Sequence, residues 1–233
     1  MDHRQGRFDL GGVVRRSPHG IARSILVILG CGAAYGAALG AWTGWRLAVY
    51  AAVKLPIVLL ATAAVTLVFN TAAATVLGSR ARLHDVTAVT LGGMAMAALL
   101  LASVVPVILL FDVSLPAAGD ESRTTHNMLY LLHTVAVGTA GLAGVGVMWR
   151  ALRTLSGSRR TAVRVLLVWV LSLAAVGGEV AWALRPFVGS VYLQVVFIRP
   201  DALDGNVYEF IWTDIRPHLL RLDGGGGEDD ALE

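Results

Sequence analysis

Charge is scarce in this chain. Of 233 residues only 15% are Asp, Glu, Lys or Arg, against 56% hydrophobic. A soluble domain usually carries about 25% charge. The deficit is spread over several long apolar runs, so lipid is the expected solvent for most of the chain. Cysteine is nearly absent. Cys31 stands alone, which excludes an internal disulfide and a multi-cysteine metal site. Lysine is equally rare: of 19 basic residues only Lys54 is one. The catalytic signatures are missing too. There is no P-loop, no dinucleotide-binding glycine motif after a strand, no His-Glu-x-x-His and no Gly-x-Ser-x-Gly. These absences point away from an enzyme and from a bound metal or cofactor. The net charge of +3 is no argument for nucleic acid, because the arginines sit in short segments beside apolar runs.

Small residues are what the chain has in plenty. Gly32, Gly36, Gly40 and Gly44 recur every fourth residue inside an apolar segment. On a helix they form a stripe without side chains, which lets two backbones approach closely in a membrane. The pattern predicts an all-α, polytopic membrane protein with a bundle of five transmembrane helices. A basic cytoplasmic tail covers 1–23 and the five-helix domain covers 24–185. An extracytoplasmic C-terminal segment with an amphipathic helix covers 186–222, and an acidic tail 223–233. The first apolar run continues to about Trp42, too long for the apolar core of a cleaved leader.

The individual helices follow from turn and cap signals. The first runs from about Ser24 to Trp42. Residues 43–54 read as either interfacial or the end of a tilted helix. Pro56 is expected to open the second helix, which closes at Gly78. Asp85 is the expected N-cap of a third helix, from Val86 to Phe111, which Pro106 kinks near its far end. An acidic loop follows over 112–125. The fourth helix spans His126 to Trp149, with Gly138, Gly141, Gly144 and Gly146 as a second small-residue surface. The fifth spans Val165 to Leu184.

Twelve of the 19 basic residues fall in the three segments on the N-terminal side of this topology. Three fall in the two short segments on the other side, and four in the long tail, which counts least. The contrast predicts a multi-pass cell-membrane protein with a cytoplasmic N-terminus and an extracytoplasmic C-terminus.

Polar residues within the apolar runs are the candidate functional groups. Asn70 can hydrogen-bond across helices and is expected to do so for packing. His126, Tyr130 and His133 fall at i, i+4 and i+7 on one helical face. Glu179 is the one acidic residue expected inside a membrane segment. Counted along their helices, Glu179 and His133 lie at one depth, so they are expected either to clamp two helices or to form a ligand or proton site. Arg185-Pro186-Phe187-Val188-Gly189-Ser190 marks the far boundary of the last helix. Arg185, Pro186, Phe187, Gly189 and Ser190 are expected to form a partner-facing motif that folds back over the outer loops.

Four stretches carry a family resemblance. They are Lys54-Leu55-Pro56, Phe69-Asn70, Leu77-Gly78-Ser79-Arg80 and Trp182 through Ser190. Together they resemble bacterial five-helix membrane proteins of the Yip1-like kind, over about residues 24–212. The resemblance implies a five-helix integral membrane protein without known catalysis. Eukaryotic Yip1 proteins are trafficking factors that bind small GTPases. Their acidic-Tyr-Gly-Pro signature is absent here, so GTPase binding does not carry over.

Two functional expectations follow. One is a non-enzymatic membrane adaptor or assembly factor, acting through helix packing and the outer motif. Its partners would be the bilayer and other membrane proteins or a second copy of the chain. The alternative is a small transporter or permease subunit with a polar site near Glu179 and His133.

Overall fold

The structure, a computed structural model, describes residues 18–114, 123–187, 196–200, 202, 204–210 and 212–213. The described residues are helical with no strand: α1 (Pro18–Ala41), α2 (Trp45–Val76), α3 (Leu83–Ser103), α4 (Val105–Ser114), α5 (Arg123–Leu155), α6 (Arg159–Ala183) and the one-turn α7 (Val207–Phe210). Five spans are long and apolar enough to cross a membrane: α1, α2, α3 with α4, α5, and α6. The protein is a multi-pass helical bundle.

α1 and α2 form an antiparallel hairpin, and the glycine stripe is its seam. A Cβ on Gly32 would lie 3.4 Å from the Pro56 ring. One on Gly36 would lie 2.7 Å from the Ala51 carbonyl carbon, and one on Gly40 2.6 Å from that of Leu47. The partner number falls as the glycine number rises, which is the register of two helices running in opposite directions. At Gly36 and Gly40 the obstacle is backbone, so no rotamer change could relieve it. Gly44 has a different task from the packing role expected of it. It has open space around it and φ 141°, and it makes the tight turn between the two helices.

The rest of the bundle closes around this hairpin. α1 also lies against α3, α2 against α6, α3 against α5, and α5 runs beside α6. One core cluster joins four helices at the end where α2, α3, α5 and α6 meet their loops: Ala74, Val86, Val89, Met148, Leu152, Val165 and Trp169. A second, toward the opposite end, gathers Tyr35, Ala38, Leu101, Ile108 and Ala140. The end carrying Arg80, Arg82, Arg153 and Arg159 is called the arginine end below, and the other the far end.

Several boundaries differ from the sequence expectation, each for a local reason. Helix begins at Pro18, so the last residues of the expected tail belong to α1; proline is well suited to a first turn. α2 runs 32 residues through Pro56 instead of starting there, which makes 43–44 a turn and 45–54 part of the helix. At about 1.5 Å per residue α2 is about 48 Å long and overshoots a 30 Å hydrocarbon layer. Arg82, not Asp85, caps α3; the Asp85 carboxylate accepts the Arg82 N–H at 3.1 Å from the third helical position. Where a kink at Pro106 was expected, the helix is interrupted at Val104, between α3 and α4. Proline has no N–H to offer the carbonyl four residues back. Asp112 lies in α4 instead of a loop, with both carboxylate oxygens buried. The arginine-rich stretch after Trp149 is mostly helix: α5 continues to Leu155, and Ser158 caps α6 by accepting the Thr161 N–H at 3.1 Å. Of the amphipathic helix expected within 186–222 only Val207–Phe210 is α-helical among the described residues.

Candidate functional site

The far end is organised around Lys54. It sits three turns into α2, fully buried. A buried ammonium needs compensation. Here Nζ donates to the Pro186 carbonyl at 3.0 Å and lies 5.2 Å from the Phe197 ring centre and 5.7 Å from that of Phe187. A carbonyl dipole and two ring quadrupoles all present negative character to the cation. Tyr50, one turn earlier on α2, meets Phe197 edge-on at 5.2 Å. The chain leaving α6 is thereby drawn back across the start of α2.

The same segment is held to α6. The Arg185 guanidinium lies 3.8 Å from the Trp182 ring centre and donates to the Trp182 carbonyl at 3.1 Å. Phe210 of α7 packs on Trp182 at 5.1 Å, and the Tyr208 hydroxyl donates to the Ala175 carbonyl at 2.7 Å. Gly178 leaves room for Val207 and Tyr208 at 3.5 and 3.6 Å from where a Cβ would stand. Arg185, Pro186 and Phe187 therefore make contacts within the chain. Gly189 and Ser190, the rest of the expected partner-facing motif, lie outside the described residues.

Beside the second core cluster, toward the far end, His133 is buried and meets Tyr35. Tyr35 Oη and His133 Nδ1 share a hydrogen bond of 2.9 Å, with the rings edge to face at 5.7 Å. This pair ties α1 to α5. It takes the place of the expected contact between His133 and Glu179. Glu179 is half-buried on α6 and makes no hydrogen bond or ion pair among the described residues. The face expected to unite three residues divides: His133 points inward, Tyr130 is exposed, and the side chain of His126 lies outside the described residues. Tyr35 escaped the sequence reading. A phenol within an apolar run requires a hydrogen-bond partner, and that requirement was the available signal.

Asn70 forms the third polar tie, as expected for packing. Its Oδ1 accepts from Ser172 Oγ at 2.6 Å and its main-chain carbonyl accepts from Trp169 Nε1 at 2.9 Å, fastening α2 to α6. Its Nδ2 is buried without a partner among the described residues. No group of three or more His, Cys, Asp or Glu residues stands together among the described residues.

No family model, no curated protein and no solved structure matches this chain.

Proposed function

We propose that the chain is a non-enzymatic adaptor or assembly factor of the cell membrane, Yip1-like in kind, with a cytoplasmic N-terminus and an extracytoplasmic C-terminus. One observation carries the reading. The paired polar side chains of the bundle are used as ties within the chain: Asn70 with Ser172 and Trp169, Tyr35 with His133, Lys54 with Pro186. Such ties stabilise a scaffold. The glycines of α5 that face open space, Gly138 and Gly141, suit close approach by a helix of a partner protein or of a second copy.

The test is purification of the tagged full chain from its host in mild detergent. A membrane protein, or a second copy of this chain, should accompany it at fixed ratio. Gly141→Leu should lose that companion while keeping the folded bundle. A chain that purifies alone as a monomer overturns the reading. The transporter alternative rests on Glu179, a carboxylate in a membrane span with no partner among the described residues. A folded Glu179→Gln variant that abolishes solute uptake into vesicles would establish it.

A further inference from the structure

The arginine end contains a cleft that neither reading uses. Its volume is about 740 Å³, and it is lined by Arg80, Arg82, His84, Asp85, Thr154 and Leu155. The two walls come from segments far apart in sequence, the α2–α3 connection with the first turn of α3, and the last turn of α5. The first wall is held rigidly. α2 ends in a turn at Gly78, φ 82°, where the Ser79 N–H reaches back to the Ala74 carbonyl at 2.8 Å and the Gly78 N–H to that of Thr75 at 3.0 Å. Ala81, between the two arginines, is buried in the main core cluster. Ser79 Oγ and Ser156 Oγ approach at 3.4 Å across the gap between the walls.

The electrostatics are one-sided. Arg80 and Arg82 are exposed, and no carboxylate pairs with either guanidinium among the described residues. The single acid, Asp85, already accepts the Arg82 main-chain N–H. Guanidinium presents a planar fork that matches two phosphate oxygens, which an ammonium does not. Thr154 adds a hydroxyl, and Leu155 an apolar wall beside it. A connection of a few residues between two spanning helices lies in the headgroup layer, where phosphate diesters are the abundant anions.

We infer that this cleft binds a phosphate group, and that its source is the headgroup of an anionic phospholipid, with the guanidiniums of Arg80 and Arg82 on the phosphate and the first acyl carbons along Leu155. This holds whether the chain is an adaptor or a transporter.

The experiment follows thermal unfolding of the purified full chain in mild detergent by tryptophan fluorescence. Phosphatidylglycerol is titrated in, with phosphatidylcholine as the neutral lipid and glycerol 3-phosphate as the free phosphate. A ligand bound only by the folded state raises Tm in a way that grows with the logarithm of its concentration above Kd, so the rise yields an apparent Kd. Phosphatidylglycerol should do so and phosphatidylcholine should not. The pair Arg80→Gln with Arg82→Gln should raise the apparent Kd by about tenfold or more. Thr154→Trp keeps every charge, sets an indole in the cleft between its walls, and should raise it as much. Arg159→Gln with Arg160→Gln removes the same charge from the same end outside the cleft, and should leave the apparent Kd within about twofold. Unchanged binding by Thr154→Trp overturns the inference, as does an equal loss in the Arg159, Arg160 pair. If the Arg80, Arg82 pair does not fold, Thr154→Trp alone decides. A cleft-dependent shift with glycerol 3-phosphate but none with phosphatidylglycerol keeps the phosphate site and overturns the lipid source.

Discussion

Two glycine-bearing helices in this bundle behave oppositely. In α1, Gly32, Gly36 and Gly40 each meet α2 across the seam of a hairpin. In α5, a Cβ on Gly138, Gly141 or Gly146 would meet nothing within 4 Å; Gly144 alone is crowded, with a Cβ falling 2.6 Å from the Gly93 carbonyl oxygen of α3. Spacing explains the contrast. The α1 glycines repeat every four residues and stay close to one line, so a whole helix can lie along them. Those of α5 fall at intervals of three, three and two, and spread around the helix. A membrane helix rich in glycine is therefore not a packed helix by that fact alone; the period decides.

The comparison can be broken at its strongest point first. Gly36→Leu and Gly40→Leu push side chains into the α2 backbone and should cost about 3 kcal/mol or more. The readout is the yield of monodisperse protein after detergent extraction, which should fall sharply. If both variants behave like the parent, the hairpin seam is wrong. Gly144→Leu meets one backbone crossing, at Gly93, and should cost about 2 kcal/mol by thermal unfolding. Asn70→Leu removes a cross-helix tie without changing the glycine surfaces and should cost about 1 kcal/mol. Gly138→Leu faces open space and should change the stability of the isolated chain by less than about 0.5 kcal/mol. A large loss there would mean that α5 is covered in the purified state, which size-exclusion chromatography would register as an oligomer.

The same contrast separates what was legible in the sequence from what was not. Periodicity is local, so the five spans could be read directly, and Pro106 signals a change of direction that falls at Val104. Where two helices were expected to touch through Glu179 and His133, depth along each helix was the only guide. Depth says nothing about rotation, and Tyr35, 98 residues away from His133, held the partner position. Pro56 misled because proline marks a helix start in water. Inside a bundle its missing N–H is tolerated, and its ring becomes the surface on which Gly32 rests. For Lys54 the local pattern left an interfacial position and the end of a tilted helix both open. Once α2 begins at Trp45, position 54 is three turns inside the helix, and burial with a carbonyl and two rings follows.

Lys54 has a chemical consequence as well. It carries the only side-chain primary amine among the 233 residues, and it is sealed beneath Phe187, Phe197 and the Pro186 carbonyl. An amine-directed acylating reagent added to the folded protein therefore reaches the Lys54 amine only when that cover opens. The rate at which Lys54 becomes acylated measures how often the far end opens, so the molecule carries its own single-site clock for the lifting of Phe187 and Phe197 from the start of α2.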